Sequence, residues 1–490
     1  MKKNKTNLKS ILKIILGLIV LTLLAAFIYS ESKMNLLDKE AFNSFSGSFE
    51  KSCEDFSKQE DVMSFIKNWA DENELKYKTD DNGNLIFSHK SIKRKKDVAP
   101  TVIMVNCNYE DCYDSRSAIT TAAMVAYSNI RSGKYTVIFA NNINNSEDVY
   151  YGLDRALFPD GAKVIYLDAG KAAYVSASSF ARKEQTVSVP SEKEAVHCDT
   201  AVRVRISGLT SDSIGTSAAN HPNPIAMLST VLTRLNSKSF IYQISDIKIG
   251  NRGNMYPDSM EATFLINSYA VGSLTGYLDK RVKAFNKAYK DDYPDAEYSY
   301  EVIDDISDLP EEAYTADTAA SLTTLLYALN NGNYRFDEDA VLPNGYEVGD
   351  VYAINCVRQL RIDEYSNIYV DISTQALNND FMKEILNENR EVCKLSGCKV
   401  ETVNTFKKFR NDKNSLILTL KNTYFKVKGF SLRDSGLEEK KDTYFTPMSY
   451  LADINESMDI VHIKTTNKKA RAITTMILCY VQTSGNFLSL

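Results

Sequence analysis

The stretch TVIMVNCNYEDC, Thr101 to Cys112, decides the reading of this chain. It opens with a run of apolar and β-branched residues, and Ala99 to Val105 reads as a buried strand. It then turns polar at Asn106-Cys107-Asn108. In α/β folds the crevice beyond the carboxyl end of such a strand is where ligands bind. Asparagine is a poor nucleophile, base and metal ligand, so the strand end has the position of a site without its usual chemistry.

Working outward, Glu60 to Glu74 places Val62, Phe65, Ile66 and Trp69 at helical spacing, and Asp80-Asp81-Asn82-Gly83 reads as a turn before a strand at Asn84 to Ser88. Ser117 to Ile130 reads as a helix of small residues, with buried strands at Tyr135 to Ala140 and Ala162 to Leu167. This alternation predicts an α/β fold with a doubly wound, mostly parallel sheet. From Ala201 the character changes. Ala201 to Ile206 and Ser259 to Ser268 alternate, Pro224 to Leu235 and Val271 to Tyr289 read as helices, and Asp304 to Asp317 is acidic and loop-like. Val348 to Leu360 and Asn367 to Ile372 return as strands, which predicts an α+β domain inserted in the first. A helix around Asn414 to Val427, a strand near Ile460 and a helix at Ala470 to Val481 complete the chain. The expected division is 1–34, 35–198, an insert at 199–399, and 400–490.

The chain is 44% apolar and 25% charged with a net charge of −5, so no nucleic-acid partner is expected. Basic residues cluster at Lys90 to Lys96, read as a solvated loop, and in MKKNKTNLKS at the start. The latter precedes an apolar run, Ile11 to Tyr29, whose one charge is Lys13. Such a run spans a bilayer as a helix, and the preceding lysines predict a cytoplasmic N-terminus. The expectation is a single-pass signal-anchor in the cell membrane with the bulk of the chain outside. A signal peptide cleaved near Ser30-Glu31-Ser32 is the competing reading. Of the eight cysteines, Cys107/Cys112 and Cys393/Cys398 lie near enough in sequence for disulfides; buried free thiols are the other reading.

No phosphate loop, Gly-x-Gly-x-x-Gly, His-Glu-x-x-His or Gly-x-Ser-x-Gly is present. His89, His197, His221 and His462 have no ligand spacing and read as structural.

The order of several motifs resembles the M20 metallopeptidases, nearest to their aminoacyl-histidine (Xaa-His) dipeptidase branch. The motifs are FIKNWADENELKYKTDDNGNLIF at Phe65 to Phe87, Asn254-Met255-Tyr256-Pro257, Leu342-Pro343-Asn344-Gly345 and Ser435-Gly436-Leu437-Glu438. The resemblance implies a zinc-exopeptidase-like domain with an inserted lid, and an ancestry of hydrolysing small peptides with two zinc ions. Such chemistry needs carboxylate and imidazole ligands and a glutamate general base. Carried over, the first His-x-Asp site falls on Asn106 and Asn108. The bridging aspartate falls on Arg116, or on Ser115 or Asp114 with a shifted gap. The general base and the ligand after it fall on Ile143 and Asn144, the next aspartate is retained as Asp168, and the last histidine falls on Asn455. The lid histidine that polarises substrate falls on Ser213.

Only Asp168 keeps its type, so no zinc or other cofactor is expected. The resemblance then implies a pseudo-peptidase with a crevice at Asn106, Asn108, Arg116, Asn144, Asp168 and Asn455. A peptide ligand and a homodimer through the lid are the expected partners, beside the membrane through residues 11–29. The alternative is an active zinc dipeptidase with relocated ligands drawn from Asp114, Glu110, Asp111, Cys107, Cys112, Asp168 and Glu147 or Asp148.

Overall fold

The computed structural model describes residues 36–89, 99–109, 112–128, 130, 133–142, 147–209, 214–215, 222–250, 256–305, 310–343, 345–411, 414–428 and 436–484. The apolar run at 11–29, the basic cluster at 90–96, and Glu110, Asp111, Ile143, Asn144 and Ser213 lie outside them. Among the described residues no helix is long and apolar enough to cross a membrane.

Four parallel strands form the centre of an eight-stranded sheet. In spatial order they are Tyr135–Asn141, Thr101–Cys107, Lys163–Ala169 and Asp459–Thr465. Their runs of Val, Ile, Phe and Met are buried on both faces, as parallel strands covered by helices on either side require. Antiparallel strands flank them, Leu85–His89 beside Tyr135–Asn141 and Tyr174–Ser176 beside Asp459–Thr465. One face is covered by the helices Lys39–Cys53, Gln59–Glu72, Cys112–Tyr127, Ser415–Lys428 and Ala470–Ser484. The other is covered by Asp148–Tyr151 and Met448–Ile454. Cys112–Tyr127 is buried nearly all round, and its alanines and threonines are small enough to let neighbouring helices and strands close on it. The chain leaves Thr101–Cys107 for one neighbour and later returns to the other, so the strand order reverses there. That reversal opens a crevice at the carboxyl ends of Thr101–Cys107 and Lys163–Ala169.

The second sheet has eleven strands, antiparallel throughout. Pro224–Ser237, Ser268–Tyr289 and Ala316–Ala328 cover it through a core of Val, Ile, Leu and Phe. Its strands run from Ala181 to Phe406, so the boundaries expected at 199 and 399 fall inside it. The reason is pairing: Ala181–Val189 lies in register between Ile368–Ala376 and Lys399–Phe406, although it precedes the change in composition near Ala201. The acidic stretch is not all loop, because Glu312–Tyr314 pairs with Lys193–Ala195. All eight cysteines are free thiols. Cys107 lies buried at its strand end, whereas Cys112 faces Cys53, so the sequence-adjacent pair does not meet.

Candidate functional site

The crevice is lined by side chains at the carboxyl ends of the parallel strands. Asn106 accepts a hydrogen bond on Oδ1 from the Tyr150 hydroxyl at 2.6 Å, and Asn142 Nδ2 donates to that hydroxyl at 3.2 Å. Burial pushes the Tyr150 hydroxyl above its ordinary range, so it stays a neutral donor. Asn108 is buried beside this cluster. The loop after the strand is stitched by Gln59, whose Nε2 donates to the Cys107 carbonyl at 2.6 Å while its Oε1 accepts from Tyr109 N–H at 3.1 Å. These amides satisfy buried polar groups, which fixes the strand ends.

On the other side Asp168 stands at the end of Lys163–Ala169, in register with Lys464 of Asp459–Thr465. Asp168 Oδ1 accepts from the Ala169 N–H at 2.8 Å. Its Oδ2 faces Lys464 Nζ at 3.4 Å and His462 Nε2 at 3.5 Å. His462 Nε2 makes no well-formed hydrogen bond, so its attraction to Asp168 is electrostatic. His462 Nδ1 meets Asp442 Oδ2 at 2.8 Å, and the Tyr174 hydroxyl donates to Asp442 Oδ1 at 2.7 Å. The Lys464 ammonium lies 5.2 Å over the Tyr444 ring. A Cβ on Gly170 would stand 2.9 Å from Lys464 Cδ, so the glycine leaves room for this side chain.

The electrostatics follow from this arrangement. Burial works to lower His462, but the charge of Asp442 and the approach of Asp168 outweigh it and raise the imidazole to about 9. His462 is therefore an imidazolium at neutral pH. Burial works to raise Asp168; Lys464, His462 and the Ala169 N–H outweigh it and hold the carboxyl well below the usual carboxylate range. The Asp168 side chain keeps 32% of its surface exposed, so solvent screens part of this attraction.

Two expected crevice residues lie elsewhere. Arg116 pairs with Glu50 of Lys39–Cys53 and lies 5.4 Å over the Tyr113 ring, turned toward that helix rather than toward Asp168. The positive charge at the crevice comes from Lys464 and His462 instead. Asn455 donates to the Phe158 carbonyl and to Asp160, both at 3.0 Å, just before Lys163–Ala169 begins. It precedes Asp459–Thr465, which runs parallel to Lys163–Ala169, so it lies at the amino edge of the sheet, a strand length from Asp168. Neither Ile143, Asn144 nor Ser213 is among the described residues.

Among the described residues the donor set does not fit a pair of zinc ions. Asn106 is committed to Tyr150, and Asp168, where the resemblance expects a ligand, is engaged by two cations of the chain itself. The relocated candidates are scattered: Asp114 is exposed, Cys107 is buried with its thiol pushed up, Cys112 faces Cys53, and Glu147 faces Arg182 at 3.7 Å. Among the described residues no three His, Cys, Asp or Glu side chains are grouped to hold a metal ion. His462 and Lys464 were missed from sequence because each looks isolated there. The signal was the alternation in Asp459 to Thr465, which puts both on one face of a strand.

A cavity of about 210 Å³ adjoins the network at Asp442, with Ser178, Ser179 and Tyr346 in its wall and Lys408 and Arg410 beside them.

No family model and no curated protein matches this sequence. Among solved structures, an aminoacylhistidine dipeptidase from Vibrio alginolyticus superposes with a TM-score of 0.52 at 12% identity, over 92% of this chain and 98% of its own. Aminopeptidase PepT from Bacillus cereus and a tripeptidase from Staphylococcus aureus each align over 92% of this chain and 100% of theirs. Their identities are 9% and 8%, with a TM-score of 0.43 for both. In its parallel sheet, its inserted antiparallel sheet and its strand-end crevice, this chain has an M20 peptidase-like fold.

Proposed function

We propose that this chain is a peptidase-fold protein that binds a peptide in the strand-end crevice without cutting it. The observation that carries this reading is the capture of Asp168 by Lys464 and His462. An ammonium and an imidazolium 3.4 and 3.5 Å from that carboxylate repel a divalent ion at the position where the resemblance calls for one. The amides at Asn106 and Asn108 are neutral groups that do not take a proton from water. What remains is a polar cleft, and the cavity that adjoins its network at Asp442 carries Lys408 and Arg410 in its wall, chemistry suited to holding a peptide carboxylate. The N-terminal apolar run anchors the protein, the bulk lies outside the membrane, and the second sheet supplies a homodimer contact.

The test is zinc content and hydrolysis of Xaa-His dipeptides by the full chain in detergent. The expected result is substoichiometric zinc and no turnover, with saturable peptide binding weakened by Lys408→Ala and Arg410→Ala together. Stoichiometric zinc, with turnover abolished by Asp168→Ala, would overturn the reading in favour of an active metal-dependent hydrolase.

A further inference from the structure

We propose that Cys53 and Cys112 are a disulfide pair, closed when the protein meets an oxidising thiol–disulfide pool. The two residues are 59 positions apart in sequence, yet the Cys112 S–H points at the Cys53 carbonyl oxygen at 3.8 Å. The Cys112 thiol beside it, together with burial, pushes the Cys53 thiol well above its ordinary range. Cys53 closes the helix Lys39–Cys53 and Cys112 opens the helix Cys112–Tyr127. Two further links hold these helix ends together: the Tyr113 hydroxyl donates to Glu50 at 3.1 Å, and Arg116 pairs with Glu50. The approach is therefore a property of the packing rather than of one rotamer.

Accessibility sets the order of events. Cys53 is half-buried and Cys112 buried, so an oxidant meets Cys53 first. With a low-molecular-weight disulfide as oxidant, the Cys53 thiolate attacks one of its sulfurs, forming a mixed disulfide and releasing one thiol. The Cys112 thiolate then attacks the Cys53 sulfur and releases the second thiol. Two protein thiols are oxidised to one disulfide, and the oxidant is reduced to two thiols. The bond would tie the Lys39–Cys53 helix covalently to the helix whose Ser117 Oγ reaches the Thr465 carbonyl beside the crevice, at 3.4 Å.

The experiment incubates the folded full chain in detergent with oxidised glutathione, blocks free thiols with N-ethylmaleimide, and maps peptides by mass spectrometry without reduction. The expected result is a cross-linked Cys53–Cys112 peptide, absent from Cys53→Ser, in which Cys112 is recovered alkylated or glutathionylated. Oxidation should also raise the thermal unfolding midpoint of the wild type and leave that of Cys53→Ser unchanged. Recovery of both residues unlinked from wild-type protein, or a cross-link that pairs either one with a different cysteine, overturns the proposal.

Discussion

Lys464 is the residue on which the crevice turns. It comes from the strand Asp459–Thr465 two residues after His462, is largely buried, and has Asp168 for its ionic partner and the Tyr444 ring beneath it. Replacing it by methionine keeps the stem and removes the charge, leaving Asp168 with His462 alone. Unfolding in urea at pH 7 should show a loss of roughly 1–3 kcal/mol, less than for a fully buried pair because Asp168 is partly exposed. His462 makes a pH prediction at the same scale. Its folded-state pKa of about 9 lies above the ordinary value of 6.5, so the protonated form stabilises the fold. That contribution is complete below pH 6.5 and is lost as pH rises through 9. Asp168 acts in the opposite sense: its depressed pKa gives stability present above pH 3.8 and lost as the carboxyl protonates below it. Stability should therefore decline between pH 6.5 and 9, and His462→Gln should flatten that decline when unfolding midpoints are compared across the range.

At the scale of elements, boundaries follow local chemistry where that chemistry is sharp. Asn223 accepts from the N–H groups of Ile225 and Ala226 and is followed by Pro224, so the start of that helix is written in Asn-Pro. Asn378 caps Asn379–Leu395 in the same way, accepting from Asp380 and Phe381. Asn378→Ala should cost about 1 kcal/mol in chemical denaturation, and Asn378→Asp should keep nearly all of it. The central strands were legible as runs of β-branched residues, and Thr101–Cys107 extends two residues beyond the end of its apolar run. Lys399–Phe406 was not legible: it is an edge strand with an almost wholly exposed pattern, so it carries no hydrophobic alternation. Ala181–Val189 was missed for a different reason. Its charged residues are buried by partners from distant segments, Glu184 by Arg358 at 3.5 Å and Asn404 at 2.8 Å.

At the scale of the whole molecule, Arg182 joins the two sheets. It starts a strand of the second sheet and is 1% exposed. Its guanidinium lies 4.3 and 4.6 Å over the rings of Phe406 and Phe445, and Glu184 and Glu147 face it at 3.3 and 3.7 Å. Arg182→Ala leaves two acidic groups short of their counter-charge and the two aromatic rings beside a void. The expected loss is on the order of 3–5 kcal/mol, read from denaturation, with earlier proteolytic nicking between the sheets.

By itself the sequence determined the layered α/β core, the presence of a second body of mixed helices and strands, the strand end that opens the crevice, and the amides Asn106 and Asn108 that stand there. These are local properties, set by periodicity and side-chain type. Only the tertiary structure decided that Asp168 is held by Lys464 and His462, that Arg116 faces Glu50, that Asn455 lies at the far edge of the sheet, and that Cys112 meets Cys53. Each depends on register and packing between segments tens to hundreds of residues apart, and sequence spacing does not encode which faces meet.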